Sequence, residues 1–336
     1  MNILVTGGLG YLGSHAVVEL IKQKYKVFVI DNLSNSHIQN LSYLEKITGQ
    51  KIEFLNADIR DKQKLDKIFK DNDISGIMHF AGLKSVKKSD SERGEYYDVN
   101  VNGTKNLIDV LNNTKKEKKY FIFSSSACVY GKPNYLPYDE NHNVEPENFY
   151  GETKLEAEIL LKNTYLTHED WKIIVLRYFN PIGAHHSFLI GDSPRGKPEN
   201  LMPNILSAVY PEKNKLKIFG SNHDTFDGTP VRDFIHVEDL IKGHVLALNF
   251  LRKSTKHVYE VFNLGTGEGF SVLQLIKSFE EVNGVKVSFE FSKKRKGDLP
   301  IYFSSAKKIT KMLGWKPKLN LKDMCKSSWE FYKNKK

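Results

Sequence analysis

Tyr150 and Lys154, in the segment NFYGETK (148–154), are the residues whose types and spacing best fit a chemical role. Residues four apart share one face of a helix, and a Lys ammonium that close favours the ionised form of a Tyr. An ammonium roughly 5 Å from a phenolate, at an effective dielectric constant of about 20, stabilises the phenolate by about 3 kcal/mol, on the order of two pKa units. The pair is therefore a candidate general base. Taken alone, the same spacing also fits a solvated Lys beside a half-buried ring.

A glycine-rich segment, TGGLGYLGSH, follows the first predicted strand and predicts a dinucleotide-binding site. Gly7, Gly10 and Gly13 are spaced G-x-x-G-x-x-G, and Gly8 with the last two also fits G-x-G-x-x-G. Glycines let the backbone turn tightly and approach a pyrophosphate. The helix predicted to begin near Tyr11 offers unpaired N–H groups and a positive dipole end to the phosphates. A purely structural glycine turn is the alternative.

Two aspartates follow the next strands and bear on the choice of dinucleotide. Asp31 ends the run KVFVID, 18 residues after Gly13. A carboxylate there accepts both ribose hydroxyls of NAD and repels the extra phosphate of NADP, so NAD is the predicted cofactor. Asp58 follows the third predicted strand, where it could contact the adenine end of the cofactor or equally be a helix N-cap.

The elements that position these residues alternate between short β-branched runs and helical segments. This βαβ rhythm predicts an α/β fold: a Rossmann-type doubly wound parallel sheet, with a smaller α/β substrate-binding lobe. The predicted strands are 2–6, 26–31, 52–55, 74–80, 119–125 and 173–177.

A Pro- and Gly-punctuated region begins near residue 180 and predicts long functional loops. We therefore expect a cofactor-binding domain over 1–180 and a substrate-binding domain over 181–336. A segment near 232–266 is a candidate to return to the first domain, because 258–267 is predicted to form a further strand.

Length and composition fit a folded protein of two domains. The chain has 336 residues, of which 40% are hydrophobic, enough for a large core. No apolar run approaches the roughly 20 residues that span a bilayer. The N-terminus MNILVTGG lacks the basic region and cleavage site of a signal peptide. These features predict a cytoplasmic protein without a membrane partner.

The cysteines, histidines and basic residues predict neither a metal nor a nucleic acid. Cys128 and Cys325 make no disulfide framework or metal-ligand cluster, and the adjacent His185 and His186 lack the carboxylate or Cys partners of a zinc motif. The net charge of +10 comes from basic residues scattered in short runs, without a nucleic-acid-binding motif. A solvated Lys-rich surface accounts for it, and some of these cations are available for an acidic small molecule.

The order TGGxGYxG, HFAG, SSS and Tyr-x-x-x-Lys resembles the extended short-chain dehydrogenase/reductase superfamily. Within it, the chain is similar to the UDP-glucose 4-epimerases along almost its whole length. The segments that carry this closer resemblance are HFAGLKSV, YYDVNVNGT, FIFSSSACVYG, LRYFNPIGAH, ENLMPNI, GTPVRDFIHVEDL, FNLGTG and RKGDLPIY.

The resemblance implies reversible C4 epimerisation of UDP-glucose and UDP-galactose through a 4-keto intermediate, with tightly bound NAD as transient hydride acceptor. It implies that Tyr150, Lys154 and Ser126 are catalytic, with Ser126 bonding the reacting oxygen and Lys154 also holding the nicotinamide ribose. The neighbouring Ser124 and Ser125 are expected to satisfy strand-end backbone groups.

The resemblance also implies the binding residues. The cofactor residues are Gly7, Gly10, Tyr11, Leu12, Gly13, Asp31, Asn32, Asp58, Ile59, Phe80, Ala81, Gly82, Lys84, Asn100, Tyr150, Lys154 and Tyr178. The substrate residues are Lys84, Ser126, Tyr150, Phe179, Asn180, Asn200, Leu201, Lys217, Phe219, Arg232, Arg295, Asp298 and Tyr302.

Four of these positions carry more specific expectations. Arg232 and Arg295 would fork onto phosphate oxygens. Tyr302 would form the wall of the pocket beside the C2 substituent of the sugar and exclude an N-acetyl group, although it could also be an ordinary strand aromatic in the core. Val99 stands where some relatives have a second Asn, which leaves the role of Asn100 open.

Other functions are compatible with parts of this pattern. Sugar-nucleotide 4,6-dehydratases need an Asp-Glu pair directly after the serine segment, where this chain has Ala127 and Cys128. A uronate 4-epimerase or a 4-keto reductase is chemically nearer. A redox sensor or scaffold without catalysis is a further alternative, but such proteins commonly lose the Tyr or the Lys.

The resemblance further implies a homodimer joined by a four-helix bundle. The candidate helices are the segment near 100–116 and the helix that begins at Tyr150. Leu155, Ile159 and Leu160 fit such a face, but they could equally cover the sheet.

Overall fold

The computed structural model describes residues 1–210, 215–295 and 297–335. Of the basic runs noted in the sequence, Lys296 and Lys336 lie outside the described residues. Within the described part, none of the helices has the length and apolar composition that crossing a membrane requires.

The strands agree closely with the βαβ pattern, with ends that differ from the predictions by a few residues. In chain order they are β1 (Asn2–Thr6), β2 (Lys26–Asp31), β3 (Glu53–Asn56), β4 (Gly76–His79), β5 (Lys119–Ser126), β6 (Trp171–Tyr178), β7 (Asn180–Ile182), β8 (Leu216–Phe219), β9 (Val231–Arg232), β10 (Phe234–His236), β11 (Val258–Leu264), β12 (Phe270–Ser271), β13 (Phe289–Ser292) and β14 (Ile301–Tyr302).

The helices follow the strands as α/β folds require. They are α1 (Tyr11–Lys22), α2 (Gln39–Thr48), α3 (Lys62–Asn72), α4 (Val86–Ser89), α5 (Arg93–Tyr97), α6 (Gly103–Asn112), α7 (Phe149–Thr167), α8 (Leu201–Val209), α9 (Val237–Lys253), α10 (Val272–Asn283), α11 (Lys307–Leu313) and α12 (Leu321–Asn334). A π-helical turn (Asp98–Asn102) joins α5 to α6, and a short 3₁₀ turn (Ala127–Val129) follows β5.

The main sheet is Rossmann-type, which confirms the predicted fold class. Its strand order is β11-β6-β5-β4-β1-β2-β3, and the pairs β1–β2, β1–β4, β2–β3 and β4–β5 are parallel. The strand order reverses between β1 and β4, and ligands of such sheets bind beyond the carboxyl ends of the strands at this switch point. The strand predicted near 258–267 does return to this sheet, as β11 beside β6.

Near-continuous apolar runs form the sheet because both of its faces are covered. In β1, Ile3, Leu4 and Val5 are fully buried. A core cluster that includes Leu4 and Phe121 extends over residues of α3, α6 and α7. The carboxyl ends of the parallel strands therefore hold Thr6, Asp31, His79 and Ser126 on a rigid frame.

The chain divides into two compact units. The first comprises 1–131, 143–177 and 241–262, and the second comprises 132–142, 178–240 and 263–336. In the second unit, small sheets pair β10 with β7, β12 with β9 and β14, and β13 with β8. Its core cluster is built largely on α8, α10 and α12.

Candidate active site

The glycine loop between β1 and α1 forms the cradle that the sequence predicts. Gly7 has φ +64°, and a Cβ on it would lie 2.9 Å from the backbone nitrogen of Ala81. A Cβ on Gly13 would lie 2.2 Å from the carbonyl oxygen of Gly7. Both positions therefore require glycine, because neighbouring backbone fills the space that a Cβ would need. At Gly7 the positive φ is a second reason, because L residues rarely adopt it.

The first turn of α1 is suited to a phosphate. The helix begins at Tyr11, as predicted, with Gly10 as its N-cap residue and no capping side chain. Its first turn also carries no acidic residue. The N–H groups at the start of a helix need acceptors, and the helix dipole favours an anion there. This loop therefore fits a dinucleotide pyrophosphate, and contacts from Tyr11, Leu12 and Gly13 stay a prediction.

Asp31 lies at the carboxyl end of β2 with fixed oxygens. Its Oδ2 accepts a hydrogen bond from Leu9 N (3.1 Å), and its Oδ1 accepts from Leu33 N (2.8 Å) and from Ser36 Oγ (2.7 Å). The side chain is buried, 7% exposed. Asp31 therefore orders the glycine loop through Leu9 N, and its contact with a ribose stays a prediction.

Asp58 is not a helix N-cap, so that alternative is wrong. The N-cap of α3 is Asp61, whose Oδ1 accepts from Lys64 N at 3.0 Å. Asp58 instead accepts from Asn32 Nδ2 (2.8 Å), from Arg60 Nε (3.0 Å) and from Arg60 Nη2 (2.8 Å). The hydrogen bonds from Arg60 hold the pKa of Asp58 well below its usual range. Asn32 and Asp58 thus form one polar cluster beyond β2 and β3.

Tyr150 and Lys154 occupy the first turns of α7, which confirms the predicted helix. Asn148 caps this helix, since its side chain accepts from Gly151 N at 2.9 Å. Both side chains are nearly buried, with exposures of 9% and 7%. The solvated-Lys alternative is therefore wrong for Lys154.

Lys154 is held by backbone and aromatic contacts at the carboxyl end of β5. Its Nζ donates to the carbonyl oxygen of Ser124 at 2.9 Å and lies 4.9 Å from the ring centroid of Phe123. Burial lowers the pKa of Lys154 from 10.5 to about 8, and the charge of Glu158 opposes this shift. Burial disfavours the charged form of Lys154. Groups with a pKa perturbed in this way are concentrated at functional sites.

The contacts of the three serines that end β5 correct the expectation for Ser124 and Ser125. Ser124 Oγ lies 3.2 Å from His244 Nε2, and Ser125 Oγ donates to Glu158 Oε1, so both bond side chains and not strand-end backbone groups. Ser126 Oγ accepts from Cys128 N at 3.2 Å. Ser126 remains 8% exposed, whereas Ser125 is fully buried. Ser126 therefore differs from Ser124 and Ser125 in accepting from a backbone N–H and in being slightly more exposed.

A buried ion pair supports the helix that carries the Tyr–Lys pair. Arg177 at the end of β6 donates from Nε (3.0 Å) and from a second nitrogen to the two carboxylate oxygens of Glu158 in α7. The guanidinium also lies 4.8 Å from the ring centroid of Tyr130. This network was missed in the sequence, because its members are separated by 19 residues or more and follow no motif.

Asn100 was predicted near the cofactor, and the structure shows what it holds. The π-helical turn places its buried amide against the loop after β4, where it accepts from Leu83 N (2.8 Å) and donates to Leu83 O (3.0 Å). It also donates to Thr153 Oγ1 in α7 at 3.0 Å. Asn100 therefore ties this loop to the helix of Tyr150, while Val99 packs against the core.

His79 at the end of β4 is another residue that the sequence did not indicate, and it links β4 to β1 and α6. Its Nδ1 lies 2.6 Å from Thr6 Oγ1, and its Nε2 lies 3.0 Å from Thr104 Oγ1. Burial, with a smaller contribution from the charge of Lys154, holds the pKa of His79 well below its usual range. A neutral ring between two hydroxyls fixes the register of β1 against β4.

The remaining predicted cofactor residues lie around the ends of the first strands. Ala81 N donates to Thr6 Oγ1 at 3.2 Å, and a Cβ on Gly82 would lie 3.7 Å from Lys154 Nζ. Ile59 is buried, Phe80 is half-buried beside His244, and Lys84 is exposed. Tyr178, at the end of β6, belongs to the second unit.

Within the second unit, the structure brings together two pairs of the predicted substrate residues. Arg232 in β9 donates to Asp298 Oδ1 at 2.5 Å. The guanidinium of Arg295 lies 4.0 Å from the ring centroid of Phe219 at the end of β8. An Arg over an aromatic face and an Arg on a carboxylate can both be redirected to a phosphate.

Tyr302 is placed beside other predicted residues of this unit. It pairs with Arg232 in the parallel register of β14 and β9. Its ring centroid lies 4.7 Å from that of Tyr138 and 5.0 Å from that of Phe179. The ring is half-buried and does not belong to the main core cluster of the unit.

The other predicted substrate residues are more dispersed. Asn180 begins β7 and its N–H donates to Asp233 O at 3.0 Å. Asn200 is the exposed N-cap residue of α8, which begins at Leu201. Lys217 is an exposed residue of β8. No contact joins these residues to one another among the described hydrogen bonds.

The expectation that the pair His185–His186 lacks a carboxylate partner is wrong. His186 Nδ1 lies 2.7 Å from Glu238 Oε1, although the two residues are 52 positions apart. Sequence spacing could not reveal this contact, because it depends on the pairing of β7 with β10.

Known proteins match the chain over nearly its whole length. The family described as "NAD dependent epimerase/dehydratase family" matches residues 3–265. The UDP-glucose 4-epimerase of Bacillus subtilis is 43% identical over 331 residues, which are 98% of this chain and 96% of that protein.

Solved structures agree in fold as well. A UDP-glucose-4-epimerase from Stenotrophomonas maltophila with bound NAD and formylated UDP-arabinopyranose superposes with a TM-score of 0.95 at 41% identity, covering 100% of this chain and 98% of that one. The UDP-glucose 4-epimerase of Bifidobacterium longum in complex with NAD⁺ and UDP gives a TM-score of 0.94 at 39% identity, with coverages of 99% and 98%.

Proposed function

This protein is a member of the NAD dependent epimerase/dehydratase family, and we propose that it catalyses the reversible C4 epimerisation of UDP-glucose and UDP-galactose. Its cofactor is NAD. The observation that carries the proposal is the buried Tyr150–Lys154 pair at the start of α7, with Lys154 Nζ bonded to Ser124 O. The length of the similarity to UDP-glucose 4-epimerases supports the same conclusion.

The chain's own residues supply a base for the sugar hydroxyl. Tyr150 takes the proton of the 4-hydroxyl, and the Lys154 ammonium stabilises the phenolate that this step requires. Ser126 donates to or accepts from the same oxygen and keeps it in line. NAD, when bound, would supply a reversible hydride acceptor for C4, so the sugar would pass through a 4-keto form without net oxidation.

Residues of the second unit hold the nucleotide. Arg232 and Arg295 bind the diphosphate, and Phe219 keeps the guanidinium of Arg295 oriented. Asp298, released from Arg232, is available to a ribose hydroxyl. The protein must hold the uridine diphosphate firmly and the hexose loosely, because contacts to every sugar hydroxyl would prevent the sugar from turning between the two hydride transfers.

A panel of UDP-sugars tests the proposal. Purified protein without added cofactor should interconvert UDP-glucose and UDP-galactose, and should leave UDP-glucuronate and UDP-4-keto sugars unchanged. Preferential turnover of UDP-glucuronate would favour a uronate 4-epimerase. In a separate assay with added NADH and a 4-keto sugar, net consumption of NADH would favour a reductase.

We expect Asp31 to control the choice of dinucleotide. The protein should purify with NAD bound, and Asp31→Ala should weaken NAD binding. Asp31→Asn keeps the size of the side chain but removes the charge, and its single oxygen can accept from Leu9 N or from Leu33 N and Ser36 Oγ, not from both sides. It should reduce the preference for NAD over NADP at least about tenfold. Equilibrium dissociation constants for both dinucleotides provide the measurement. Glu53→Gln, on the exposed side of β3, is the matched control; a wild-type protein that binds only NADP would contradict the assignment.

The proposed position of Tyr302 predicts which sugars are accepted. A ring that forms the wall beside the C2 substituent leaves room for a hydroxyl and clashes with an acetamide. Tyr302→Cys should therefore raise kcat/KM for UDP-N-acetylgalactosamine at least about tenfold, with a smaller change for UDP-galactose. Tyr135→Cys, at an exposed Tyr of the same unit, is the control. Comparable kcat/KM values for both sugars in the unmodified protein would remove the basis of this prediction.

We propose a homodimer that uses α7 and the segment near 100–116, which includes α6. Leu160 packs against the core, but Ile159 is 42% exposed, and Tyr97, just before that segment, is 44% exposed. An apolar face of this kind is suited to a second copy of the chain. The cytoplasm stays the predicted location.

We expect Ile159→Glu to disrupt the dimer, because a carboxylate would be buried there without a partner. Sedimentation equilibrium at micromolar concentration should give twice the 38.6 kDa chain mass for the unmodified protein and a mass near that of one chain for the variant. Leu246→Glu, at an exposed Leu of α9, should leave the dimer intact. A monomeric unmodified protein would refute the proposal.

A further inference from the structure

A cluster of two histidines and one glutamate lies at the carboxyl ends of two paired strands in the second unit. β7 and β10 are parallel, with Ile182 opposite His236. His185 and His186 follow β7, and Glu238 lies in the first turn of α9, directly after β10. One possible ligand atom from each of these three side chains lies within 4.8 Å of the other two.

The cluster has one buried and one exposed histidine. His185 is 5% exposed, and its Nδ1 lies 2.8 Å from Ser187 Oγ, which fixes the ring. The side chain of His186 is 75% exposed and that of Glu238 is 18% exposed. The two imidazole rings lie 4.0 Å apart with a tilt of 33°. The exposed ring can therefore turn, while the buried one supplies a fixed position.

The glutamate is anchored so that its carboxylate faces the histidines. Glu238 Oε1 accepts from His186 N at 3.0 Å and lies 2.7 Å from His186 Nδ1. These two bonds both use Oε1, so Oε2 is not engaged in them. A hydrogen bond from the backbone to a ligating carboxylate is a supporting contact that metal ligands usually have.

We propose that His185, His186 and Glu238 bind one divalent transition-metal ion of the Zn²⁺ class, with water completing the coordination. Two imidazoles, one carboxylate and a water are a common zinc ligand set. Nitrogen ligands favour Zn²⁺, Co²⁺ or Ni²⁺ over Mg²⁺ and Ca²⁺. The metal takes the place of the hydrogen between His186 Nδ1 and Glu238, and the one hydrogen of the neutral His186 ring then lies on Nε2.

The geometry requires only small adjustments. Ligand atoms around a tetrahedral zinc, at about 2.0–2.1 Å from the metal, lie about 3.3 Å from one another. The contact between His186 and Glu238 must open by roughly half an ångström, and the wider separations must close by roughly 1.5 Å at most. Rotation of the exposed His186 ring changes its distances to both partners, and rotation of the Glu238 side chain changes the distance between Glu238 and His185. An ion pair between exposed groups, by contrast, needs no contribution from His185 and stabilises the protein little.

The metal would join the loop after β7 to the start of α9, which stabilises the second unit. It has no assigned part in C4 epimerisation, because none of its three ligands is among the residues proposed to bind NAD or the UDP-sugar. Failure of this proposal is therefore distinguishable from failure of the proposed function: the first is decided by metal binding and the second by turnover of UDP-sugars after chelation.

Isothermal titration of the full-length, NAD-loaded protein with Zn²⁺ tests the site. The protein must be chelator-treated and free of any histidine tag, since a tag binds the same metals. We expect one equivalent of Zn²⁺ per chain with micromolar or tighter affinity, and a rise in Tm of about 5 °C at saturating metal. Mg²⁺ at the same concentration should give neither effect.

Variants separate the site from adventitious binding. Glu238→Gln keeps the hydrogen bond from His186 N, and His186→Ala alters an exposed ring, so both should fold and both should weaken Zn²⁺ at least about tenfold. His257→Ala, at an exposed histidine of the first unit, should bind as the unmodified protein does. Co²⁺ should show the visible absorption of four-coordinate cobalt only when all three ligands are present. Absence of saturable Zn²⁺ binding would overturn the proposal. So would a Zn²⁺ affinity in Glu238→Gln and His186→Ala equal to that of the unmodified protein.

Discussion

Replacing Tyr150 with Phe should lower kcat for C4 epimerisation by at least about a hundredfold while the fold and the NAD content stay unchanged. Phe keeps the ring that is 91% removed from solvent, and it removes only the hydroxyl. The proton of the sugar 4-hydroxyl then has no acceptor of suitable pKa. The measurement is kcat for UDP-galactose at saturating substrate, with NAD content determined from the absorbance of the released cofactor.

A matched control exists on the same helix. Tyr165 also lies in α7, where its ring stacks on His257 with centroids 3.8 Å apart, and Tyr165→Phe should leave kcat unchanged. If Tyr150→Phe retained near-normal turnover, with NAD content and UDP affinity unchanged, the reaction would not proceed through this base. A rise in KM with kcat unchanged would assign Tyr150 to substrate binding.

The scaffold around this base was largely predictable because local pattern determines it. β1 and β2 were predicted with their observed ends, since buried parallel strands show unbroken β-branched runs. The start of α1 at Tyr11 follows from the glycines before it. The strand pairing that places these ends side by side follows from the βαβ rhythm, because such connections have one favoured hand.

The side chains that hold the catalytic pair were not predictable in the same way. Glu158 pairs with Arg177 and Ser125 across two strands and a helix, and neither spacing nor periodicity indicates such a contact. The same holds for Glu238 beside His186. In each case a charged or polar group is satisfied by a partner that only the tertiary fold brings near, whereas periodicity reports which face of an element is buried.

Replacing Lys154 with Met should stabilise the protein while it lowers activity. Burial lowers the pKa of Lys154 from 10.5 to about 8. One pKa unit corresponds to about 1.4 kcal/mol, so the buried ammonium destabilises the fold by roughly 3 kcal/mol at neutral pH. Met has a similar length and no charge. We expect a higher urea midpoint for Lys154→Met at pH 7, with kcat lower by about a hundredfold because the phenolate loses about two pKa units of stabilisation.

The pH dependence of this stability difference gives a sharper test. Between pH 8 and 10.5 the unfolded chain keeps a proton on Lys154 that the folded chain has released, so the stability of the unmodified protein rises with pH in this window. Below pH 8 both states are protonated and the full cost is present. The advantage of Lys154→Met should therefore be largest at pH 7 and disappear toward pH 10.5. Lys162→Met, at an exposed Lys of α7, should show no such trend. An advantage that is equal at pH 7 and pH 10 would mean that better apolar packing, and not the removal of a buried charge, stabilises the variant.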